Sequence, residues 1–239
     1  VGGAASSYRR KEFRRAFQSL ATSRWALIGM LILLVVTFVA IFGPWLAPFD
    51  PNRQNIMMRL LEPGQLGAGD LTYWLGSDQL GRDVLSRLLY GARVSLLVGV
   101  AAIAVGGTLG TVAGLVSGYF GGWIDDVIMR LGDIQLAFPF ILLAIMFLVV
   151  LGPGLVNIIL VLGIGQWITY ARIVRAQTLS LREKEYVEAA RAMGDSTFSI
   201  LFRTILPNIV APLTVIASFN VAGVISVSYT HLTLPTILL

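Results

Sequence analysis

The chain has 239 residues, of which 56% are hydrophobic and only 13% charged, and its formal net charge is +5. A soluble domain of this length needs a larger share of polar residues to cover its surface, so the composition indicates an integral membrane protein. The sequence has no cysteine and one histidine, which excludes disulfides, thiolate metal sites and multi-histidine sites and leaves no material for a catalytic triad. We therefore predict no catalytic residue, no metal site and no cofactor in this chain.

Five apolar stretches approach the roughly 20 residues that a spanning helix needs. We predict transmembrane helices over residues 25–46, 94–118, 134–151, 155–171 and 205–225. The first stretch is too long for the apolar region of a secretory signal peptide, so it is interpreted as a membrane anchor. The fourth is short and contains Gly163, Gly165 and Gln166, which suits a bundle interior because small residues let helix backbones approach closely.

Basic residues are concentrated in the segments that flank the predicted spans. Residues 1–24 carry six of them against one acidic residue, so the positive-inside rule predicts a cytoplasmic N-terminal segment that faces membrane lipid. Counting spans then makes residues 47–93 an extracytoplasmic loop and residues 172–203 cytoplasmic. Nucleic acid is not an expected partner, because nothing indicates a fold that would present the basic residues to it.

Residues 180–207 form a polar segment between the fourth and fifth predicted spans, and the local pattern predicts a helix at its start. Ser180 and Glu183 have the spacing of a capping box, which predicts that the helix begins there. Its apolar stripe consists of Tyr186, Ala190 and Met193, with Val187 and Ala189 beside it. The pattern therefore predicts a short amphipathic helix.

The end of this segment is predicted to turn and to enter the fifth span as a second helix. Gly194 can adopt the left-handed conformation that ends the first helix, and Asp195 or Ser196 can cap a second one that begins near Thr197. Pro207 lacks an N–H and disfavours helical backbone at the residue before it, so we expect a kink at that point.

The same segment resembles the EAA loop of binding-protein-dependent ABC importer permeases, in which Glu-Ala-Ala is followed at fixed spacing by Gly, Ile and Leu-Pro. The matching residues are Glu188, Ala189, Ala190, Gly194, Leu206 and Pro207, and Thr204 stands where the family has Ile. In that family the loop is the cytoplasmic element that docks into the ATPase subunit. The resemblance implies this coupling role for Tyr186, Glu188, Ala189, Ala190, Gly194, Leu206 and Pro207. The other interpretation is that Glu188 is only a solvated charge that pairs with Lys184 or Arg191.

A second signature precedes the second predicted span and resembles dipeptide, oligopeptide and nickel importer permeases, while residues 25–29 and 46–51 resemble the C-type subunit of such a pair. Its residues in the extracytoplasmic loop are Gly76, Asp78, Gly81, Arg82, Asp83, Ser86 and Arg87. We favour salt bridges that fold the loop over substrate contact as the role of its charged members. Ser77 or Asp78 is expected to cap the helix that leads into the span.

Polar side chains within or beside the later spans have two interpretations each. Asp126, Arg130 and Asp133 have helical spacing, so they are expected to neutralise one another at the membrane edge, with a proton path as the less favoured alternative. Gln166 and Asn220 lie inside predicted spans, where they either form hydrogen bonds between helices or line the translocation path.

The two resemblances together imply an all-α membrane protein, a polytopic helical bundle of the ABC importer permease (MetI-like) type, with five of six expected transmembrane helices. Residues 94–225 would form the permease core with the coupling loop at 180–207. The implied role is that of a permease subunit for short peptides or related small solutes in the cytoplasmic membrane of a bacterium or archaeon. The implied partners are a homologous permease subunit, two ATP-binding subunits and an extracytoplasmic solute-binding protein.

Other classes of membrane protein are less consistent with the sequence. The chain has no Gly-x4-Gly-Lys-Ser/Thr pattern, so ATP would be bound by a partner. A self-sufficient channel or secondary transporter would need gating charges, a proton relay or an inverted repeat, none of which is found. A membrane enzyme would need a nucleophile with a base, and the sequence offers no such set.

The last residues depart from the family pattern. The run Val227-Ser-Tyr-Thr-His-Leu232 resembles the translation of a transposase-type sequencing adapter. We therefore expect residues 226–239 to be a non-native tail that replaces the sixth span, and the alternative is a divergent natural terminus.

Overall fold

The computed structural model describes residues 23–67 and 71–230, without the side chains of residues 227–230. Helices make up most of this range, together with one small two-stranded sheet. The contacts divide the chain into two compact units, Val1–Val94 and Ser95–Leu239. Nearly all of the basic segment 1–24 and most of the tail 226–239 lie outside the described residues, so the expectations for both stay predictions.

Helix α1 comprises Arg24–Leu46 and coincides with the first predicted span. It begins where the Ser23 hydroxyl accepts the N–H of Ala26 at 3.4 Å. Near its end it touches the first turns of the next helix, because a Cβ built on Gly43 would lie 2.9 Å from the carbonyl oxygen of Leu89. The large apolar side chains of its first turns are exposed, as expected of a helix that faces lipid.

The loop after α1 contains the only sheet in the described part of the chain. A 3₁₀ turn at Ile56–Met58 leads to strands β1, Gln65–Leu66, and β2, Thr72–Tyr73, which pair antiparallel. The Tyr73 ring is buried and stacks on Phe49, with ring centroids 4.6 Å apart. This contact joins the first residues of the loop to the sheet.

Helix α2 comprises Val84–Phe120 and is longer than predicted. It begins at Val84, not at residue 94, so the predicted loop 47–93 includes its first turns. The predicted caps were wrong, because the carboxylate that accepts a free N–H at this helix start belongs to Asp83, 2.7 Å from the nitrogen of Ser86. Hydropathy did not reveal these turns because they carry Arg87 and Arg93.

The predicted third span is broken into two helices. Helix α3, Gly122–Ala137, and helix α4, Phe140–Leu151, meet at an angle of 91°. The break lies at Phe138, whose backbone is extended, because Pro139 cannot donate an N–H and disfavours helix in the residue before it. The prediction of one continuous helix over residues 134–151 is therefore wrong.

Helix α5 comprises Leu155–Arg182 and extends well beyond the predicted end at residue 171. The capping-box prediction was wrong, since Ser180 lies inside the last turns of α5 and the next helix, α6, comprises Glu185–Ala192. Val174 and Thr178 are fully buried in these turns, so tertiary packing continues the helix past the point where the local pattern would begin a new one.

The segment after α6 forms the predicted turn and second helix. Gly194 has φ +84°, and the Ser196 hydroxyl accepts the N–H of Ser199 at the start of helix α7, Thr197–Ser199. A π-helical turn, Ile200–Ile205, joins α7 to helix α8, Leu206–Thr230.

The backbone at Leu206 is helical, so the expected loss of helical backbone in the residue before Pro207 is wrong, and the expected kink stays a prediction. The N–H of Leu206 reaches the carbonyl of Leu201, five residues back. This wider turn accommodates the proline ring, which would otherwise clash with a carbonyl of the preceding turn. The second helix therefore continues into the span.

Four helices of the described part of the chain are long and apolar enough to cross a membrane, and the bent pair α3 and α4 would make five. The four segments are Arg24–Leu46, Val84–Phe120, Leu155–Arg182 and Thr197–Ser226. The fold is a polytopic helical membrane protein, as predicted.

Candidate functional site

Helices α2 and α5 are in direct backbone contact along a seam of glycines. The seam consists of Gly106, Gly110, Gly114 and Gly118, one at every fourth position of α2. A Cβ built on Gly110 would lie 2.2 Å from the carbonyl oxygen of Trp167, and one on Gly118 would lie 2.7 Å from the Cβ of Thr178. Only glycine permits this approach, which resembles the small-residue interfaces of membrane helices. The seam fixes α5 against α2 up to the end from which α6 begins.

The segment of residues 185–205, called the hairpin below, packs on these two helices through a buried apolar cluster. The cluster consists of Leu115, Val174, Val187, Ala190, Ile200, Leu201, Ile205 and Ile209. Val187 and Ala190 turn one face of α6 into it, while the π-helical turn of the other arm supplies Ile200, Leu201 and Ile205. The hairpin is thus a packed part of the second unit with a defined inner face.

The outer face of the hairpin is exposed and largely apolar. Glu188 and Ala189 are exposed, and Tyr186, Met193 and Phe198 are 45%, 78% and 70% exposed. The predicted apolar stripe is therefore divided: Ala190 faces the cluster, whereas Tyr186 and Met193 face outwards. An exposed apolar patch rimmed by charge is typical of a protein-binding surface.

Two residues of the predicted coupling set, Leu206 and Pro207, lie directly after the hairpin in the first turn of α8. Leu206 is half-buried against the apolar cluster, and Pro207 is exposed in the first turn of α8. Gly194 has open space around its Cα, so its contribution is the backbone conformation of the turn. Phe198, whose ring lies 4.5 Å from that of Phe202, was not predicted from the sequence. Its place two residues after the cap Ser196 could have indicated it.

Ion pairs join α5 to α3, and they differ from those predicted. Arg175 forms a two-pronged pair with Asp125, its Nε 2.5 Å from Oδ1, and Asp125 is almost fully buried. Arg172 pairs with Asp133, with Nη2 2.5 Å from Oδ1. The prediction that Asp126, Arg130 and Asp133 neutralise one another is therefore wrong for Asp133, which pairs with Arg172. Sequence spacing favours partners on the same helix, whereas these pairs are 50 and 39 residues apart.

The glutamine of α3, Gln135, was missed by the sequence analysis and connects the bent pair to α5. Its Nε2 donates to the carbonyl oxygens of Ile164 and Gly165, each at 3.2 Å, and its Oε1 accepts the indole N–H of Trp167 at 2.6 Å. The ring of Phe140 also covers Gly165, where a Cβ would lie 2.0 Å from it. These contacts hold both arms of the bend on the middle of α5.

The two amides predicted as path lining lie at different helix contacts. Gln166 is half-buried and faces α2, because a Cβ on Gly106 would lie 3.1 Å from the Cβ of Gln166. Asn220 lies beside the Tyr170 hydroxyl, and its buried Nδ2 makes no hydrogen bond of normal geometry. Both interpretations of the two amides, hydrogen bonds between helices and path lining, therefore stay predictions.

In the loop signature, Asp78 is the centre of a hydrogen-bond network. Its carboxylate accepts from the N–H groups of Leu80 and Arg82, each at 2.9 Å, and from the guanidinium groups of Arg82 and Arg87. Burial alone would raise the pKa of Asp78, but the N–H groups and the two guanidinium groups outweigh it and lower this pKa below its ordinary value. The arrangement favours the structural interpretation of these charges over substrate contact.

The remaining signature residues shape the same loop. Gly76 and Gly81 have φ of +77° and +71°, and a Cβ on Gly81 would lie 1.7 Å from the carbonyl oxygen of Asn55. Ser86 accepts the N–H of Phe49 at 3.1 Å, while Asp83 caps α2. The signature is therefore a folding unit that attaches the loop to the start of α2.

Comparison with known families agrees with this arrangement. Residues 110–234 match the family described as the binding-protein-dependent transport system inner membrane component. The chain belongs to this family. Residues 12–63 of the permease also match the N-terminal TM domain of oligopeptide transport permease C.

Curated relatives of the permease are transport system permeases. It is 40% identical over 215 residues to the di/tripeptide transport system permease protein DppC of Pseudomonas aeruginosa, covering 90% of the chain and 70% of that protein. It is 38% identical to the dipeptide transport system permease protein DppC of Haemophilus influenzae, over 85% of the chain and 69% of the relative. It is 39% identical to the glutathione transport system permease protein GsiD of Pectobacterium atrosepticum, over 88% of the chain and 67% of the relative. The permease is thus the membrane component of a binding-protein-dependent transport system.

Proposed function

We propose that this permease forms one half of the translocation path of an ATP-driven importer for short peptides. The relatives named for di- and tripeptides, dipeptides and glutathione support this substrate class. The proposed partners are a homologous permease subunit, two ATP-binding subunits and an extracytoplasmic solute-binding protein. The N-terminus and the hairpin lie on the cytoplasmic side of a bacterial cytoplasmic membrane, in agreement with the basic residues beside them.

The observation that carries the coupling role is the two-sided construction of the hairpin. Its inner face is anchored in the permease by Val187 and Ala190, whereas its outer face exposes Glu188 and Ala189 together with large apolar side chains. A docked ATP-binding subunit can therefore bury the outer face without disturbing the inner one. Movement of that subunit then displaces the helices to which the inner face is attached.

Coupling requires more than contact between the subunits. ATP binding and hydrolysis can shift the permease between inward- and outward-facing states only if the docking free energy of the hairpin differs between those states. Glu188 supplies a negative charge in the first turns of α6, where it can pair with a cation of the ATP-binding subunit. The small side chain of Ala189 permits close approach.

The test is reversal of the charge at Glu188 in the assembled importer. Glu188→Lys places a cation where the pairing cation of the ATP-binding subunit would lie, so we expect co-purification of the ATP-binding subunits and peptide uptake to fall together. The matched control is Asp126→Lys, because Asp126 is an exposed acidic residue of α3 outside the hairpin. Co-purification and uptake that are equally retained in both variants would refute the coupling role.

A further inference from the structure

The last residue of α5 and the last turn of α6 both contact the last turn of α2, a helix to which the hairpin is not adjacent in sequence. Before α6, Arg182 donates through Nη1 to the carbonyl oxygens of Gly118, at 3.1 Å, and Tyr119, at 3.4 Å. In the last turn of α6, the guanidinium carbon of Arg191 lies 5.6 Å from the centroid of the Tyr119 ring. Two cations, one before α6 and one in its last turn, therefore both meet Tyr119 of α2, and Arg182 also meets Gly118.

The end of α2 suits these cations for a physical reason. The last carbonyl groups of a helix have no partner within the helix and carry the negative end of its dipole. A guanidinium group satisfies such carbonyls and is attracted to that end. The face of an aromatic ring attracts a cation in the same way, so Tyr119 offers a second site beside the first.

The position of Arg182 is fixed by its other contacts. Its Nε donates to the carboxylate of Glu183 at 2.9 Å, and its side chain is only about one third exposed. Tyr119 is likewise packed against the apolar cluster that holds the inner face of α6. The contacts of Arg182 and Arg191 thus lie beside the apolar cluster, and together with it they fix the orientation of α6 relative to α2.

The covalent chain alone does not provide this connection. α6 is joined through short turns to α5 on one side and to α7 and α8 on the other, whereas Arg182 and Gly118 are 64 residues apart. The glycine seam already fixes α2 against α5. The hairpin also meets α2 through Leu115 of the apolar cluster, and the contacts at Gly118 and Tyr119 add polar attachments at the last turn of α2.

We propose that Arg182 and Arg191 are positioning residues that transmit the movement of the hairpin to α2 during transport. This proposal rests on the coupling role proposed above. Both cations contact α2, so we expect their loss to affect the transmission of movement and to leave the binding of the ATP-binding subunit intact.

The experiment uses the importer assembled with its partner subunits in proteoliposomes, with the solute-binding protein and a radiolabelled dipeptide. The combined variant Arg182→Met and Arg191→Met keeps the length of both side chains and removes both cations. We expect the ATP hydrolysed per dipeptide imported to rise at least about fivefold, the lower end of typical coupling between sites. Co-purification of the ATP-binding subunits should not change.

Three controls separate transmission from a structural effect. Arg203→Met removes an exposed cation from the same hairpin and should leave the ratio unchanged. Arg182→Lys keeps a donor at the carbonyl groups, so lysine in place of methionine at this position should restore most of the coupling. Tyr119→Phe keeps the ring and should transport normally, whereas Tyr119→Leu should raise the ratio by itself, which keeps the proposal testable if the double variant is poorly folded.

The outcomes are distinguishable from those of the Glu188 test. An unchanged ratio in both the double variant and Tyr119→Leu would overturn the transmission role and leave the coupling surface unaffected. Loss of the ATP-binding subunits from the double variant would also overturn it, because the cations would then act in assembly. Retention of the subunits and of uptake in Glu188→Lys would instead refute the proposed coupling surface.

Discussion

The glycine seam between α2 and α5 allows a matched pair of substitutions on one helix. A Cβ on Gly110 would lie 2.2 Å from the carbonyl oxygen of Trp167, 2.6 Å from the Cβ of Tyr170 and 3.0 Å from the nitrogen of Ala171. A Cβ on Gly107 would meet only the ring of Tyr170, at 3.7 Å or more. Both residues lie in α2, so alanine brings the same gain in helix propensity at each.

The difference in stability between the two variants isolates the cost of the close approach. A carbon and a carbonyl oxygen ordinarily approach to about 3.3 Å, so Gly110→Ala must separate the two backbones by about 1 Å. A gap of that size forfeits up to about half of the dispersion energy of each separated pair of atoms. Overpacking of this kind costs about 1 to 3 kcal/mol, against a common gain of about 0.5 to 1 kcal/mol when alanine replaces glycine within a helix.

We therefore expect Gly107→Ala to be as stable as the parent protein or more stable, and Gly110→Ala to be less stable than Gly107→Ala by about 1 to 3 kcal/mol. Tryptophan fluorescence during thermal unfolding in detergent measures the order of stability, and detergent titration measures the difference in free energy. Equal stability of the two variants would show that the backbones are not in contact at Gly110.

Two further predictions concern charged groups. Asp125→Asn weakens the pair with Arg175 and should destabilise the protein by about 1 to 3 kcal/mol in the same assay. Asp126 is exposed, so the control variant Asp126→Asn should keep the stability of the parent protein. Equal effects of the two substitutions would contradict the ion pair. The folded pKa of Asp78 lies below its unfolded value of about 3.9, so its contribution to stability is fully present above that value and is lost as the pH falls through the folded pKa. The protection of residues 76–87 against hydrogen exchange, expressed relative to the intrinsic exchange rate at each pH, should therefore fall in the parent protein as the pH drops below that value, and Asp78→Asn should remove this pH dependence.

Local sequence features were sufficient where the structure depends on a single residue or a single stretch. The apolar stretch 25–46 predicted α1 to within a residue of its start. Gly194 was predicted as a left-handed turn because only its missing Cβ matters there, and Ser196 was one of two predicted caps. Each of these features depends on neighbours in sequence, which a pattern can reveal.

Predictions failed where distant packing competes with a local pattern. Ser180 and Glu183 have the spacing of a helix start, yet α5 continues through Ser180 because Val174 and Thr178 in the turns before it are fully buried. Asp133 has a partner at helical spacing, yet it pairs with Arg172 of another helix. A local motif states what a segment can do in isolation, and tertiary contacts select among those possibilities.

The sequence alone determined the class of protein, the positions of most spanning helices and the location of the candidate coupling segment, because hydropathy and turn chemistry are local properties. Only the tertiary structure decided that Ala190 faces inwards while Met193 faces outwards, and that Arg182 and Arg191 meet the end of α2. An amphipathic pattern gives the spacing of apolar residues but not the partner of each face. For the inner face of α6 that partner includes α2, more than sixty residues away in sequence, which the glycine seam holds against α5.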